Sequence, residues 1–162
     1  MGQRELLLLL GAITVFGTAA LNLKRFIVNQ NELMLQRQFE SYAVALAQSF
    51  IEEAKGKTFD ANDTNPSTPR ALDFTAPGAL GPEAGEIYPR FDDVDDYDGF
   101  AKSDSSGLGK FSVAIQVGYV EENDPNRVVN TQTFYKKMTV TVTHYFLDQP
   151  ITLSSIQGYR EN

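Results

Sequence analysis

The N-terminal third of the chain is dominated by apolar positions. The apolar tract, Leu6–Leu23, contains no charged residue. As a helix, its eighteen residues would span about 27 Å, close to the thickness of a bilayer's hydrocarbon core. From residue 23 to residue 54 there is neither proline nor glycine, and apolar residues recur at spacings of three and four at Leu35, Phe39, Tyr42, Leu46 and Phe50. This pattern predicts one long helix, apolar and then amphipathic, that ends near Lys57 with Gly56 as its C-cap.

The C-terminal third shows a different period. Residues 110–120 alternate, which places Phe111, Val113, Ile115, Val117 and Tyr119 on one face. Residues 133–146 alternate in the same way, and residues 151–156 form a further short candidate strand, with turns predicted at 122–127 and 148–150. Alternation of this kind predicts an antiparallel meander of three or four strands with one face on the helix.

These patterns together predict an α+β fold, in which a long N-terminal stalk helix packs on a C-terminal antiparallel β-sheet head. The stalk is expected at 1–57, and a connector loop plus the sheet head at 58–162. The connector, 58–86, is polar and contains proline and glycine at a density that prevents a regular helix. Loops of this length are usually functional or mobile.

Charge and composition narrow the classes of function. The net charge is −7, yet residues 1–57 carry +1, so the head is strongly acidic. We expect no nucleic-acid partner, since phosphates repel such a surface. Catalysis is not expected either: His144 is the only histidine, and the chain has no cysteine, no Gly-x-Ser-x-Gly elbow and no P-loop.

The acidic stretch, Phe91–Phe100, holds five aspartates within seven residues. Clustered oxygen ligands suit Ca²⁺, although the EF-hand pattern is not met. The alternative is a solvated acidic turn whose side chains cap backbone groups. If a metal binds, the candidate ligands are Asp92, Asp93, Asp95, Asp96 and Asp98.

Glu5 stands at the edge of the apolar tract, where an unpaired carboxylate is costly. If Met1 is the mature N-terminus, its α-amine is a cation that can serve as partner, within one chain or between staggered copies of the helix. Such a pair adds little stability but fixes register. The alternatives are an ordinary surface glutamate at the start of a membrane anchor, or a signal peptide with Arg4 in its basic region; Glu5 stands where a signal peptide needs positive charge.

A glutamate at position 5, followed by a charge-free tract with Gly11 and Gly17 and a long amphipathic helix, resembles the type IV pilins and the pilin-like proteins of type II secretion. The segment Asp92-Asp93-Val94-Asp95-Asp96-Tyr97 is similar to that of minor pilins of the mannose-sensitive haemagglutinin pilus type. The resemblance implies N-methylation of Met1 and assembly roles for Met1 and Glu5. It also implies a filament core, formed here by Leu6, Leu10, Gly11, Val15, Phe16, Gly17 and Leu21.

On this basis the sequence predicts a structural subunit of a bacterial type IV pilus-like filament. The protein would reside in the inner membrane as a single-pass protein, be extracted by the pilus or secretion assembly machinery, and bundle its helix with copies of itself on the cell surface, where cell adhesion is the implied role. One alternative is a low-copy minor pilin or pseudopilin that primes a pilus or a type II secretion pseudopilus. Another is a single-pass membrane-anchored domain that binds Ca²⁺.

Overall fold

A computed structural model describes residues 2–62 and 70–160 of the chain, apart from the side chains of Val28 and Asn29. The predictions for Met1, and for the part of the connector at 63–69, lie outside the described residues. The chain forms two compact units, 1–38 and 39–162. We refer to the second as the head unit.

The first element is helix α1, Gln3–Lys55, which confirms the predicted long N-terminal helix. Its last turn tightens: the amides of Gly56 and Lys57 donate to the carbonyls of Glu53 and Ala54, at 3.2 and 3.0 Å. These bonds satisfy carbonyls that would otherwise have no partner at the helix end. Lys55 lies in the last turn, where a cation is favourable.

Within the described residues the head unit contains an antiparallel sheet. Its strands are β1 (Ala101–Ser106), β2 (Gly109–Glu121), β3 (Asp124–Val128), β4 (Tyr135–Thr143) and β5 (Ile151–Gly158). The main path runs β1-β2-β4-β5, and β3 pairs with the C-terminal end of β2. The predicted α+β class, with a long helix and an antiparallel sheet, is therefore confirmed.

Two details of the sheet were predicted wrongly. Residues 124–128 form β3 rather than part of a turn, and Pro125 is tolerated because β3 pairs only with β2. Strand β1 was not predicted at all. Its sequence is polar and its side chains are mostly exposed, so no alternation of apolar residues marks it.

The core lies between the C-terminal part of α1 and one face of the sheet. Strands β2 and β4 alternate between buried and accessible side chains, as predicted. Their buried members pack against the buried apolar side chains of the helix: Ala43, Ala47, Phe50, Ile51 and Ala54. Two fully buried alanines, Ala43 and Ala47, allow the helix backbone to approach the sheet closely.

A second, smaller cluster lies beside the main core. Phe59, Phe74 and Tyr119 are buried together, with the Phe59 and Phe74 rings 5.0 Å apart. This contact holds the chain that follows α1 against β2. It thereby fixes Asp60, the residue after Phe59, inside the protein.

The close approach of helix and sheet can be tested by overpacking. Ala47→Leu should lower the free energy of unfolding by about 1–3 kcal/mol, because the added atoms have no space. The matched control is Ala45→Leu on the exposed side of the same helix, which should change it by less than about 0.5 kcal/mol. Guanidinium unfolding of the full chain in non-ionic detergent, followed by near-UV circular dichroism of the tyrosines, measures both. Equal effects of the two variants would contradict the packing described.

Candidate functional site

The apolar tract lies on the surface of the N-terminal unit. The large predicted filament-core residues all expose more than half of their surface, from 54% to 78%: Leu6, Leu10, Val15, Phe16 and Leu21. Gly11 and Gly17 lie in the same helix, and a Cβ at either would meet no atom within 4 Å. By length and composition, this helix is apolar enough to cross a membrane.

Exposed apolar residues continue beyond the tract. Phe26, Ile27, Leu33 and Met34 are each more than half exposed. Together with Leu23 they occupy one face of the helix, since their separations of three, four, ten and eleven residues match the 3.6-residue period. We call these five residues the distal stripe. From Leu6 to Met34 a helix measures about 43 Å, longer than the roughly 30 Å hydrocarbon core of a bilayer.

Glu5 caps its own helix. One carboxylate oxygen accepts a hydrogen bond from the Gly2 amide at 3.1 Å, and the Gly2 carbonyl accepts from the amides of Glu5 and Leu6. This is one half of a capping box, in which an N3 glutamate satisfies the amide of the N-cap residue. The first turn of a helix also favours a negative charge. Glu5 therefore has a local structural partner within its own chain, whatever it contacts in other copies.

The acidic stretch is largely internal. Asp93, Asp95 and Asp96 are buried, whereas Asp92 is exposed and Asp98 is half-buried. The expectation of a solvated turn was therefore wrong for three of the five aspartates. The physical reason is that the stretch folds inward around Tyr97, which is fully buried. The Tyr97 hydroxyl donates to Glu53 of α1 at 2.8 Å, which fixes the stretch against the helix.

Backbone amides satisfy much of the buried negative charge, so the expected capping by aspartates is confirmed. Asp93 accepts hydrogen bonds from the amides of Ala61, Asp95 and Asp96. In turn, Asp96 Oδ2 accepts from the amides of Asp92 and Asp93. Burial, followed by the hydrogen bond and charge of Asp95, raises the pKa of Asp93 to about 8.

The central cation of the head unit is Lys136, whose side chain is entirely buried. Its Nζ donates to Asp95 at 2.5 Å, to Asp60 at 2.8 Å and to the Phe59 carbonyl at 2.7 Å. Nζ also lies 4.6 Å from the centre of the Phe59 ring. A buried ammonium with three acceptors and an aromatic face is well compensated, whereas an unpaired one would be very costly.

Asp60 connects this cation to the second cluster. Its carboxylate accepts from the amide and hydroxyl of Thr75 and from the hydroxyl of Tyr119. Burial alone raises the pKa of Asp60. The hydrogen bond and charge of Lys136, with the amides of Thr75 and Asn62, outweigh burial and bring the pKa below its usual value. Burial, followed by the charges of Asp60 and Asp95, raises the pKa of Tyr119.

The five predicted calcium ligands do not converge on one point. Asp95 bonds to Lys136, and Asp98 accepts the Val117 amide at 2.8 Å. Only Asp96 belongs to a group of carboxylates compact enough for one ion. In the part of the chain that the structure describes, that group is Glu83, Glu86 and Asp96, whose ligand oxygens lie within 4.8 Å of one another.

His144 packs as an aromatic side chain. Its ring stacks on Phe111 and Phe39, with centroid distances of 4.2 and 4.8 Å, and its Nδ1 accepts the Phe146 amide at 3.2 Å. This arrangement gives the imidazole a packing role between helix and sheet. The absence of catalysis stays a prediction.

Sequence reasoning missed Lys136, Asp60, Glu83 and Glu86. For Lys136 a signal existed: it stands two residues before Met138, in phase with the buried positions of β4, so the alternation that buries Met138 also buries the lysine. The other three lie in or beside the connector, where no periodicity indicates which side chains turn inward.

Comparison of the chain with protein-family models, with curated proteins and with solved structures finds no match. The fold itself, a long N-terminal helix whose C-terminal part packs on an antiparallel sheet, is consistent with a pilin-like architecture.

Removal of the buried cation should strongly destabilise the head unit. Lys136→Met leaves Asp60 and Asp95 as buried anions without a counter-charge, so we expect a loss of about 3–5 kcal/mol in the free energy of unfolding. Lys137→Met, at the half-buried neighbouring position on the opposite face of β4, is the matched control and should cost under about 1 kcal/mol. Guanidinium unfolding in detergent compares them. A small effect of Lys136→Met would show that the ion pair contributes little.

Asp60 makes the stability depend on acid pH. Since its pKa in the folded state lies below the reference value of 3.8, its contribution is complete above that value and is lost as the pH falls through the folded-state pKa. Urea unfolding from about pH 6 to about pH 2 should show this loss. Asp60→Asn should flatten the acid part of the profile, while Asp73→Asn, at an exposed position, should leave it unchanged. An unchanged slope in Asp60→Asn would contradict the assignment.

Proposed function

We propose that the protein is a structural subunit of a bacterial type IV pilus-like filament, assembled by bundling of its N-terminal helices. Before assembly it resides in the inner membrane through the apolar tract. The proposal is supported by an N-terminal helix that is long and apolar enough to span a membrane. The filament, its surface location and the assembly machinery are the proposal.

The observation that carries the proposal is the length of the exposed apolar surface. A bilayer accounts for the apolar tract, but the distal stripe continues beyond it from Leu23 to Met34, and each of its residues is more than half exposed. Contiguous apolar surface of this kind marks an interaction site. Its spacing on one helix face suits packing against other helices, and copies of the same chain supply identical helices. A monomeric anchored domain would need a different partner to cover this stripe.

The head unit supports the same reading, since it has its own core. The C-terminal part of α1 is buried against the sheet, so the head does not need the N-terminal unit for burial of its apolar face. The N-terminal helix is then available for contacts between subunits. In a staggered bundle, the Glu5 carboxylate of one copy meets the N-terminal amine of the next, and this pair sets the register between copies.

One observation is equally compatible with the membrane-anchored alternative. The Gly2 amide already partners Glu5 within the chain, which an ordinary anchor helix would show equally well. In that alternative, the distal stripe contacts a different membrane protein or the bilayer surface. Removal of the Glu5 carboxylate separates these alternatives, because only a filament needs that carboxylate for contacts between subunits.

The test is Glu5→Ala in a bacterium that expresses the chain together with a pilus assembly machinery. We expect a loss of surface filaments of about tenfold or more, because every contact between subunits loses the pair that sets its register. The amount of protein in the inner membrane should stay the same. The matched control is Glu32→Ala, an exposed glutamate of the same helix, which should assemble normally. Filaments counted by electron microscopy and quantified after shearing provide the measurement.

Normal assembly of Glu5→Ala would rule out the assembly role of Glu5, whereas absence of the wild-type chain from filaments would favour the anchored domain. The abundance of the chain in sheared filaments separates two forms of the proposal. A main component is a major subunit, whereas a trace component is a low-copy minor pilin or pseudopilin.

A further inference from the structure

The acidic stretch and the connector meet at three carboxylates, none of which forms an ion pair with a lysine or arginine among the described residues. Asp96 is completely buried, Glu86 is half-buried and Glu83 is exposed. One ligand oxygen from each lies within 4.8 Å of the others. This span is about twice the usual Ca–O distance of roughly 2.4 Å, so one ion can contact all three.

The buried member of the group carries an unsatisfied oxygen. Asp96 Oδ2 accepts two backbone amides, whereas Asp96 Oδ1 is buried and has no hydrogen-bond partner among the described residues. Leaving a buried carboxylate oxygen unpaired costs free energy. A cation held between Asp96 and the two glutamates would satisfy that oxygen. The unsatisfied oxygen is an observation independent of the clustering of acidic side chains.

The backbone holds the two glutamates together. The Glu86 amide donates to the Glu83 carbonyl at 3.0 Å, and the Glu83 amide donates to the Glu86 carboxylate at 3.3 Å. Gly85, between them, has a φ of 99°, a conformation that favours glycine at the third position of a tight turn. The turn therefore presents both carboxylates on one side before any ion binds.

We propose that Glu83, Glu86 and Asp96 form a Ca²⁺ site that joins the connector to the acidic stretch. Ca²⁺ accepts several carboxylates in irregular geometry, whereas Mg²⁺ is usually held by one or two carboxylates and retains its waters. The exposed side of the site, at Glu83, leaves room for water ligands. This ligand set shares only Asp96 with the five aspartates indicated by the sequence. It does not depend on the filament role.

A proton shared within the group is the other means of relieving the repulsion between these carboxylates. The experiment has to distinguish this protonated state from a metal site.

The experiment uses the full chain in non-ionic detergent, first treated with a chelator and then titrated with CaCl₂ or MgCl₂ in a non-chelating buffer. Calorimetry gives the binding constant, and near-UV circular dichroism gives the unfolding midpoint. At Ca²⁺ concentrations about 100-fold above the Kd, the folding equilibrium should shift by about 100-fold, which raises the midpoint by roughly 5–10 °C. Mg²⁺ at the same concentration should have a smaller effect.

Two variants locate the site. The double variant E83Q/E86Q should fold, because it removes repulsion, and it should lose the Ca²⁺-dependent shift. The matched control is Asp92→Asn, an exposed aspartate of the acidic stretch outside the carboxylate group, which should retain the shift.

Four outcomes would overturn the proposal. The first is an unchanged unfolding midpoint of the wild-type protein at millimolar Ca²⁺, which leaves the shared proton as the explanation. The others are retention of the Ca²⁺-dependent shift in E83Q/E86Q, its loss in Asp92→Asn, and an equal effect of Mg²⁺ on the wild-type protein.

Discussion

The structure of the head unit depends on one buried cation. Lys136 on β4 joins Asp60, which follows the helix, to Asp95 of the acidic stretch, at 2.8 and 2.5 Å. Three parts of the chain that are distant in sequence are thereby fixed at a single atom. Proteins in which such a buried ionic network is replaced by apolar side chains are often equally stable. The main consequence of the network around Lys136 is therefore that it specifies one arrangement of the chain. With the connector or the acidic stretch in another position, at least one of these three charges would remain buried without a partner.

The sequence indicated elements whose burial follows a period. Helix α1 and strands β2 and β4 were predictable because their apolar residues recur at 3.6 or 2 residues. Strand β1 was not, since an exposed edge strand needs no apolar face. The same limit applies to the site. The periodicity of β4 gives the position of Lys136, but its partner Asp60 lies 76 residues away in irregular backbone, where local patterns contain no information on distant contacts.

The acidic stretch shows why the density of charged residues alone did not predict the positions of its side chains. Five aspartates in seven residues suggested a solvated turn or one calcium site formed by all of them. The structure divides them between separate tasks: Asp93 and Asp98 cap backbone amides, Asp95 pairs with Lys136, and Asp96 faces the connector. The groups that these aspartates contact come from the sheet, the connector and the acidic stretch itself. The surface charge of the head is accordingly smaller than its composition suggests, because several of its carboxylates are buried.

The division of α1 between the two units has a consequence for any assembly role. Residues from Phe39 onward belong to the head unit and are held by its core, while the exposed apolar residues lie before it. Substitutions in the apolar tract or the distal stripe therefore remove no contact from the core of the head. A change at Glu5 that abolishes filaments can be read as a defect in assembly, because the ion pair and packing that stabilise the head are unaffected. Conversely, a change at Lys136 would impair any function, filament or anchored domain alike, through folding.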